Sequence, residues 1–217
     1  SASGASFEVP LEMLAACHER VRNQCATLRR LVPHLEHHGA DEAARSAAAA
    51  VLRYFDSAAR DHHADEETDL FPALIESMAG SDAVCLHDIV GALTADHRAL
   101  EANWRHVRAR LEAIAAGAAA TLESQDIEPM ITLYERHIER EEKELLPMAA
   151  RLLTDDALER IGRAMRERRG IAPITVQAMR PLRSPTSRFC GGTPASAAIA
   201  RTSSTLRAAS IRPRSRS

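Results

Sequence analysis

Apolar residues recur at helical spacing along four long stretches of the chain. Between about Pro10 and Glu36 they fall at Leu11, Leu14, Val21, Cys25, Leu28 and Val32, and His18 lies inside that stripe. From about Asp41 to Met78 an Ala-rich stretch places Val51, Phe55, Ala58, His62 and Glu66 along one side. A third stretch, about Asp82 to Ala116, carries Val90, Leu93, His97, Trp104 and Leu111, and a fourth, about Gln125 to Arg151, carries Met130, Leu133, His137, Glu141 and Met148. Turn signals separate them at Gly39, at Ala79-Gly80-Ser81 and from Gly117 to Ser124. Long helices with short connections predict an all-α fold, an up-down-up-down four-helix bundle. A short fifth helix is expected over Asp155 to Arg168, capped by Thr154 and laying Leu158, Ile161 and Met165 against the bundle. The bundle is therefore assigned to residues 8–170. The remainder, 171–217, holds eight Arg, no acid and no apolar period, and is expected to be a disordered Arg/Ser/Pro-rich tail.

Composition narrows this picture. Apolar residues make up 45% of the 217 and aromatics only 3%, which favours helices packed through small and aliphatic side chains over a sandwich of strands. The formal net charge of −2 hides an acidic bundle and a basic tail, because all 30 acids precede residue 171. A basic arm for nucleic acid is the sharper reading of that tail, but simple disorder suffices and no nucleic-acid partner is expected. No apolar run approaches the roughly 20 residues a membrane span needs, so no membrane association is expected. Cys17, Cys25, Cys85 and Cys190 show no C-x-x-C spacing and read as reduced, buried thiols of a cytoplasmic protein. His34, His37 and His38 gather at the end of the first helix, where they read as surface residues.

The chemistry concentrates in one duplicated stretch. His62-His63-Ala64-Asp65-Glu66-Glu67-Thr68-Asp69-Leu70-Phe71-Pro72 recurs as His137-Ile138-Glu139-Arg140-Glu141-Glu142-Lys143-Glu144-Leu145-Leu146-Pro147. On a helix, residues four apart share a face, so each copy aims an imidazole and a carboxylate the same way. His63 and Glu67 have the same spacing, but Ile138 stands where the second copy would need a histidine, so the repeated pairs are His62/Glu66 and His137/Glu141. His18 and His97 lie in the stripes of the other two helices, and the first half of the chain looks like a duplicate of the second. Six nitrogen and oxygen donors without thiolate point to iron or manganese more than to structural zinc. They suffice for two metals, each with two histidines and the two glutamates between them. Glu101, four residues after His97, is a candidate extra ligand. Asp69 and Glu144, one turn beyond the paired glutamates, are candidate hydrogen-bond acceptors for the ligands, or exposed acids.

The pattern H…H-x-x-x-E-E-x-x-L-F-P…D-H…H-x-x-x-E-E-x-x-L-L-P resembles the hemerythrin-like HHE cation-binding family over roughly residues 8–170. The resemblance implies a bundle holding two non-haem irons, oxo- or hydroxo-bridged, with His18 and His62 on one iron, His97 and His137 on the other, and Glu66 and Glu141 bridging. This set is similar to that of bacterial iron–sulfur-cluster repair proteins. Oxygen-carrying hemerythrins have H-x-x-x-H on the third helix, where this chain has His97 and Glu101. The resemblance implies a protein that binds or senses O2, NO or peroxide, or handles iron under oxidative or nitrosative stress. A redox or iron-receiving protein partner is implied with it. The alternatives are a di-iron oxidoreductase of peroxidase or NO-reductase type, and an iron-responsive interaction module.

Overall fold

The computed structural model describes residues 6–78, 82–118 and 120–172, and every regular element among them is helical. α1 spans Pro10–His38, α2 Glu42–Asp56, α3 Ala58–Asp65, α4 Phe71–Ser77, α5 Asp82–Ala115, α6 Ser124–Arg140, α7 Leu146–Leu152 and α8 Asp155–Arg168. Apart from residues 171 and 172, the expected tail lies outside the described residues.

Local chemistry sets the ends. Pro10 opens α1, where its missing N–H costs nothing. Asp41 caps α2 by accepting from the Ala44 N–H at 2.8 Å, and Thr154 caps α8 by accepting from the Ala157 N–H at 3.3 Å. The Asp126 carboxylate accepts from the Glu123 N–H at 2.9 Å and closes the start of α6. α1 ends at Gly39, whose φ of 64° suits a residue without Cβ.

Periodicity predicts single rods over 41–78 and 125–151, and the structure interrupts both. Ser57 leaves helical angles (φ −128°, ψ −81°) while its hydroxyl donates to the Arg53 carbonyl at 2.6 Å, a side-chain bond that competes with the ladder. Further on, each copy of the duplicated motif contains a π-helical turn, Glu66–Leu70 and Glu141–Leu145. The Phe71 N–H reaches back five residues to the Glu66 carbonyl, and the Leu146 N–H to that of Glu141. The motif proline follows at once. A proline inside an α-helix lacks a donor and crowds the carbonyl four residues earlier; the wider turn relieves this, so the helix runs on into α4 and α7.

α1 packs on α2, α2 on α5, α5 on α6 and α6 on α1, while α8 lies across α1 and α3. The core divides in two. One cluster contains Val21, Leu28, Phe55, Trp104, Leu111 and Met130, the other Leu14, Leu70, Leu74, Leu93, Leu145 and Met165. The crossing from one cluster to the other falls at a candidate histidine in Leu14–His18–Val21, Ala59–His62–Leu70 and Leu93–His97–Leu100, and just beyond one, between Ile138 and Leu145, after His137. No helix among the described residues is long and apolar enough to cross a membrane.

Candidate metal centre

Between the two apolar clusters, His18, His62, Glu66, His97, His137 and Glu141 are brought together, each at most 2% exposed. The α-helical bond from the Glu66 N–H to the His62 carbonyl survives, as does that from Glu141 to His137, so the four-residue spacing holds. In both pairs histidine Nε2 lies 3.3 Å from glutamate Oε1.

The carboxylates reach across. Glu66 turns Oε1 to His62 and Oε2 to His97 Nε2, the latter at 3.3 Å. Glu141 turns Oε1 to His137 and Oε2 to His18 Nε2, the latter at 3.0 Å. Two four-residue donor groups result, His18/His62/Glu66/Glu141 and Glu66/His97/His137/Glu141, sharing both glutamates. His97 and His137 bring their Nε2 atoms to 3.1 Å of one another.

These groups are poorly satisfied by one another. His18 Nε2, Glu66 Oε2 and both Glu141 oxygens are buried without a hydrogen bond of acceptable geometry. Desolvating two carboxylates costs of order several kcal/mol per ion, and buried donors and acceptors are ordinarily paired. A donor set of imidazole and carboxylate, convergent and orphaned, fits a divalent or trivalent cation.

Charge is compensated unevenly. Burial disfavours the imidazolium of His18, but Glu141 and Glu66 outweigh it and raise its pKa to about 10. For His62 burial wins over the pull of Glu66, and its pKa falls to about 4. Burial opposes ionisation of Glu66 too, yet His62, His18 and His97 hold it well below the usual carboxylate range. In His97 the balance tips the other way from His62: burial lowers the pKa, Glu66 and Glu67 raise it, and the rise wins.

The second glutamate of each motif has a separate place. Glu67 Oε1 lies 2.7 Å from His97 Nδ1, and Arg98 grips the same carboxylate at 2.6 Å. Glu142 Oε1 lies 3.1 Å from His18 Nδ1, and Arg22 grips it at 2.7 Å. A carboxylate only accepts, so both Nδ1 atoms carry hydrogen and both Nε2 atoms face the cluster. The repetition of Glu-Glu in both copies was the available signal, since neighbours on a helix point about 100° apart and cannot both face the centre.

The other candidates separate. Glu101 is exposed and stands on the wall of a cavity, outside the donor groups. Glu144 is exposed, and Asp69 pairs with Arg168 at 2.7 Å instead of meeting a histidine. Asp65, which spacing did not single out, is fully buried and held by Arg168 and by Arg169, the latter at 2.6 Å. His63 is half-buried; its ring stacks on His97 with centroids 4.0 Å apart, and with His97 and His137 it forms a further group of convergent nitrogens that includes neither glutamate. Cys17 and Cys25 are buried free thiols, whereas Cys85 is exposed, contrary to expectation; Cys190 lies outside the described residues.

Residues 9–149 match the hemerythrin HHE cation binding domain, and the chain belongs to that family. It is also 34% identical over 167 residues to an uncharacterized protein of Haemophilus influenzae, covering 77% of this chain and 94% of that one.

Proposed function

We propose that this is a non-haem di-iron protein. His18 and His62 hold one iron, His97 and His137 the other, and Glu66 and Glu141 bridge them beside an oxo or hydroxo group. The surrounding unit is an up-down-up-down four-helix bundle over residues 8–170, working in the cytoplasm. Its role is to bind or sense O2, NO or peroxide, or to handle iron under oxidative or nitrosative stress, with a redox or iron-receiving protein as partner. One observation carries this reading: each buried glutamate gives one oxygen to the His18/His62 side and the other to the His97/His137 side.

Bound iron would supply redox change and an exchangeable coordination position. The chain's own residues prepare the rest. Glu67 and Glu142 orient His97 and His18 by accepting from Nδ1, which fixes the tautomer that presents Nε2 inward. The two apolar clusters flank the donors, each of which is at most 2% exposed. Arg98 and Arg22 neutralise the orienting carboxylates.

Iron quantitation with an optical spectrum in air, repeated with NO or azide, tests the proposal. About two irons per chain and an oxo-bridge band are expected; one zinc and a featureless spectrum would defeat it. A turnover role in peroxide or NO chemistry draws support from the cavity that reaches His97 with Glu101 on its wall. Turnover lost in Glu101→Ala with iron retained would favour that oxidoreductase.

A further inference from the structure

The histidines at the end of α1 belong to none of the interior donor groups. His34 and His38 are four residues apart, so they share a face of the helix, and their ring centroids are 4.8 Å from one another. Gly39, with its φ of 64°, turns the chain sharply, and only Ala40 separates it from Asp41, the N-cap of α2. The Asp41 carboxylate thereby comes back against the last turn of α1, where its Oδ1 lies 2.9 Å from His34 Nε2. His37 is occupied differently, its Nδ1 donating to the Pro33 carbonyl of its own helix at 2.6 Å.

Asp41 is held in place by the fold. Its Oδ1 also accepts from the Ala44 N–H at 2.8 Å, and that bond, with the pulls of His34 and His38, keeps the carboxyl below its usual range and therefore ionised at neutral pH. The surroundings favour a cation. From Leu31 to Ala44 the chain carries Glu36, Asp41 and Glu42 but no Lys or Arg. The unpaired carbonyls of the last turn of α1 add the negative end of its dipole. The spacing suits coordination as well. Two ligands of a tetrahedral ion at about 2.0–2.1 Å stand about 3.3 Å apart. His34 and Asp41, already at 2.9 Å, need to part only slightly to admit one. His38 is exposed, so its ring swings to the same point at little cost. Two histidines four apart on one helical face are a recurrent zinc-binding arrangement.

We propose that His34, His38 and Asp41 form a separate metal site at the surface, for a borderline divalent ion of the Zn2+ type, with water in the fourth place. The ion takes the place of the hydrogen between His34 and Asp41 and draws His38 in beside it. It ties the last turn of α1 to the first of α2. Two imidazoles with one carboxylate select this class over Mg2+ or Ca2+, which prefer oxygen shells. The site stands independently of the interior cluster and of the di-iron reading.

The test titrates Zn2+ into the full chain, followed by calorimetry and by the histidine ring resonances in NMR, with iron content and helical circular dichroism measured on every variant. Wild type should take up about one Zn2+ that shifts the rings of His34 and His38. Uptake inside the bundle is told apart because it shifts other rings and is indifferent to surface substitutions. His34→Ala, His38→Ala and Asp41→Asn should each weaken the surface event by at least the roughly 10- to 100-fold that losing a mere supporting partner of a ligand costs. Asn still caps α2, so Asp41→Asn should keep its helix content while losing the ion. His37→Ala should bind as wild type does. Affinity that falls as far in His37→Ala as in His38→Ala would reveal an unorganised patch of histidines and overturn the proposal. So would surface uptake that survives Asp41→Asn, or a titration in which the His34 and His38 rings never shift.

Discussion

Among single side chains, the second glutamate of each motif separates a histidine that merely lies near the centre from one held in position. His97 and His18 have a carboxylate on Nδ1; the Nδ1 atoms of His62 and His137 have no hydrogen-bond partner. Glu67→Gln and Glu142→Gln keep the volume but weaken that grip, and each is expected to lower metal affinity roughly 10- to 100-fold. Competition with a chelator of known affinity reads this directly, and unchanged affinity would reduce both to surface acids. The His18 proton leads to a pH prediction. Its folded pKa, about 10, lies above the unfolded value of 6.5, so its stabilisation of the metal-free fold is complete below pH 6.5 and is lost as pH rises towards 10. A cation replaces that proton, so binding releases it and affinity rises with pH across the same window. Calorimetry at pH 7.5 in buffers of different ionisation heat should show the release; a heat independent of buffer would contradict it.

Helix by helix, the departures from regularity sit where the chemistry does. Both π turns begin at an inward glutamate and end before a proline, so one sequence feature explains why the helices continue through Pro72 and Pro147. α8 is tied down at two points. Near its middle, a Cβ on Gly162 would stand 2.0 Å from the Phe7 carbonyl oxygen. Gly162→Ala must push the N-terminal segment away and is expected to cost about 1–3 kcal/mol in chemical denaturation, with helix content retained. At its end, Arg168 and Arg169 hold the buried Asp65, one residue before Glu66. Asp65→Ala should lower stability by about 1–3 kcal/mol, less than breaking a fully buried pair because both guanidiniums keep contact with water. A thermal midpoint equal to wild type would show that this anchor is dispensable.

Taken together, the helices put a polar layer between two apolar ones. Six buried ionisable groups, five of them with an orphaned atom, make the interior costly without a cation, so metal removal should loosen the middle of the molecule while both apolar clusters persist. Chelation is expected to lower the melting temperature by several degrees, and hydrogen exchange should quicken most around residues 62–70 and 137–145. Equal melting temperatures with and without metal would show that the six groups satisfy one another in solution.

The all-helical class and the convergence of His18, His62, Glu66, His97, His137 and Glu141 were legible in the sequence because both rest on local periodicity. A side chain in an apolar stripe must face the interior, and four residues return a helix to nearly the same face. What the sequence left open depends on distances across helices. The second glutamates meet histidines 30 and 124 residues away, His63 gains meaning only from the ring it stacks on, and Glu101 shares a face with His97 yet ends on a cavity wall. One-dimensional spacing fixes direction around an axis but not depth between axes, and depth decides which of two neighbouring polar groups reaches the centre and which supports it.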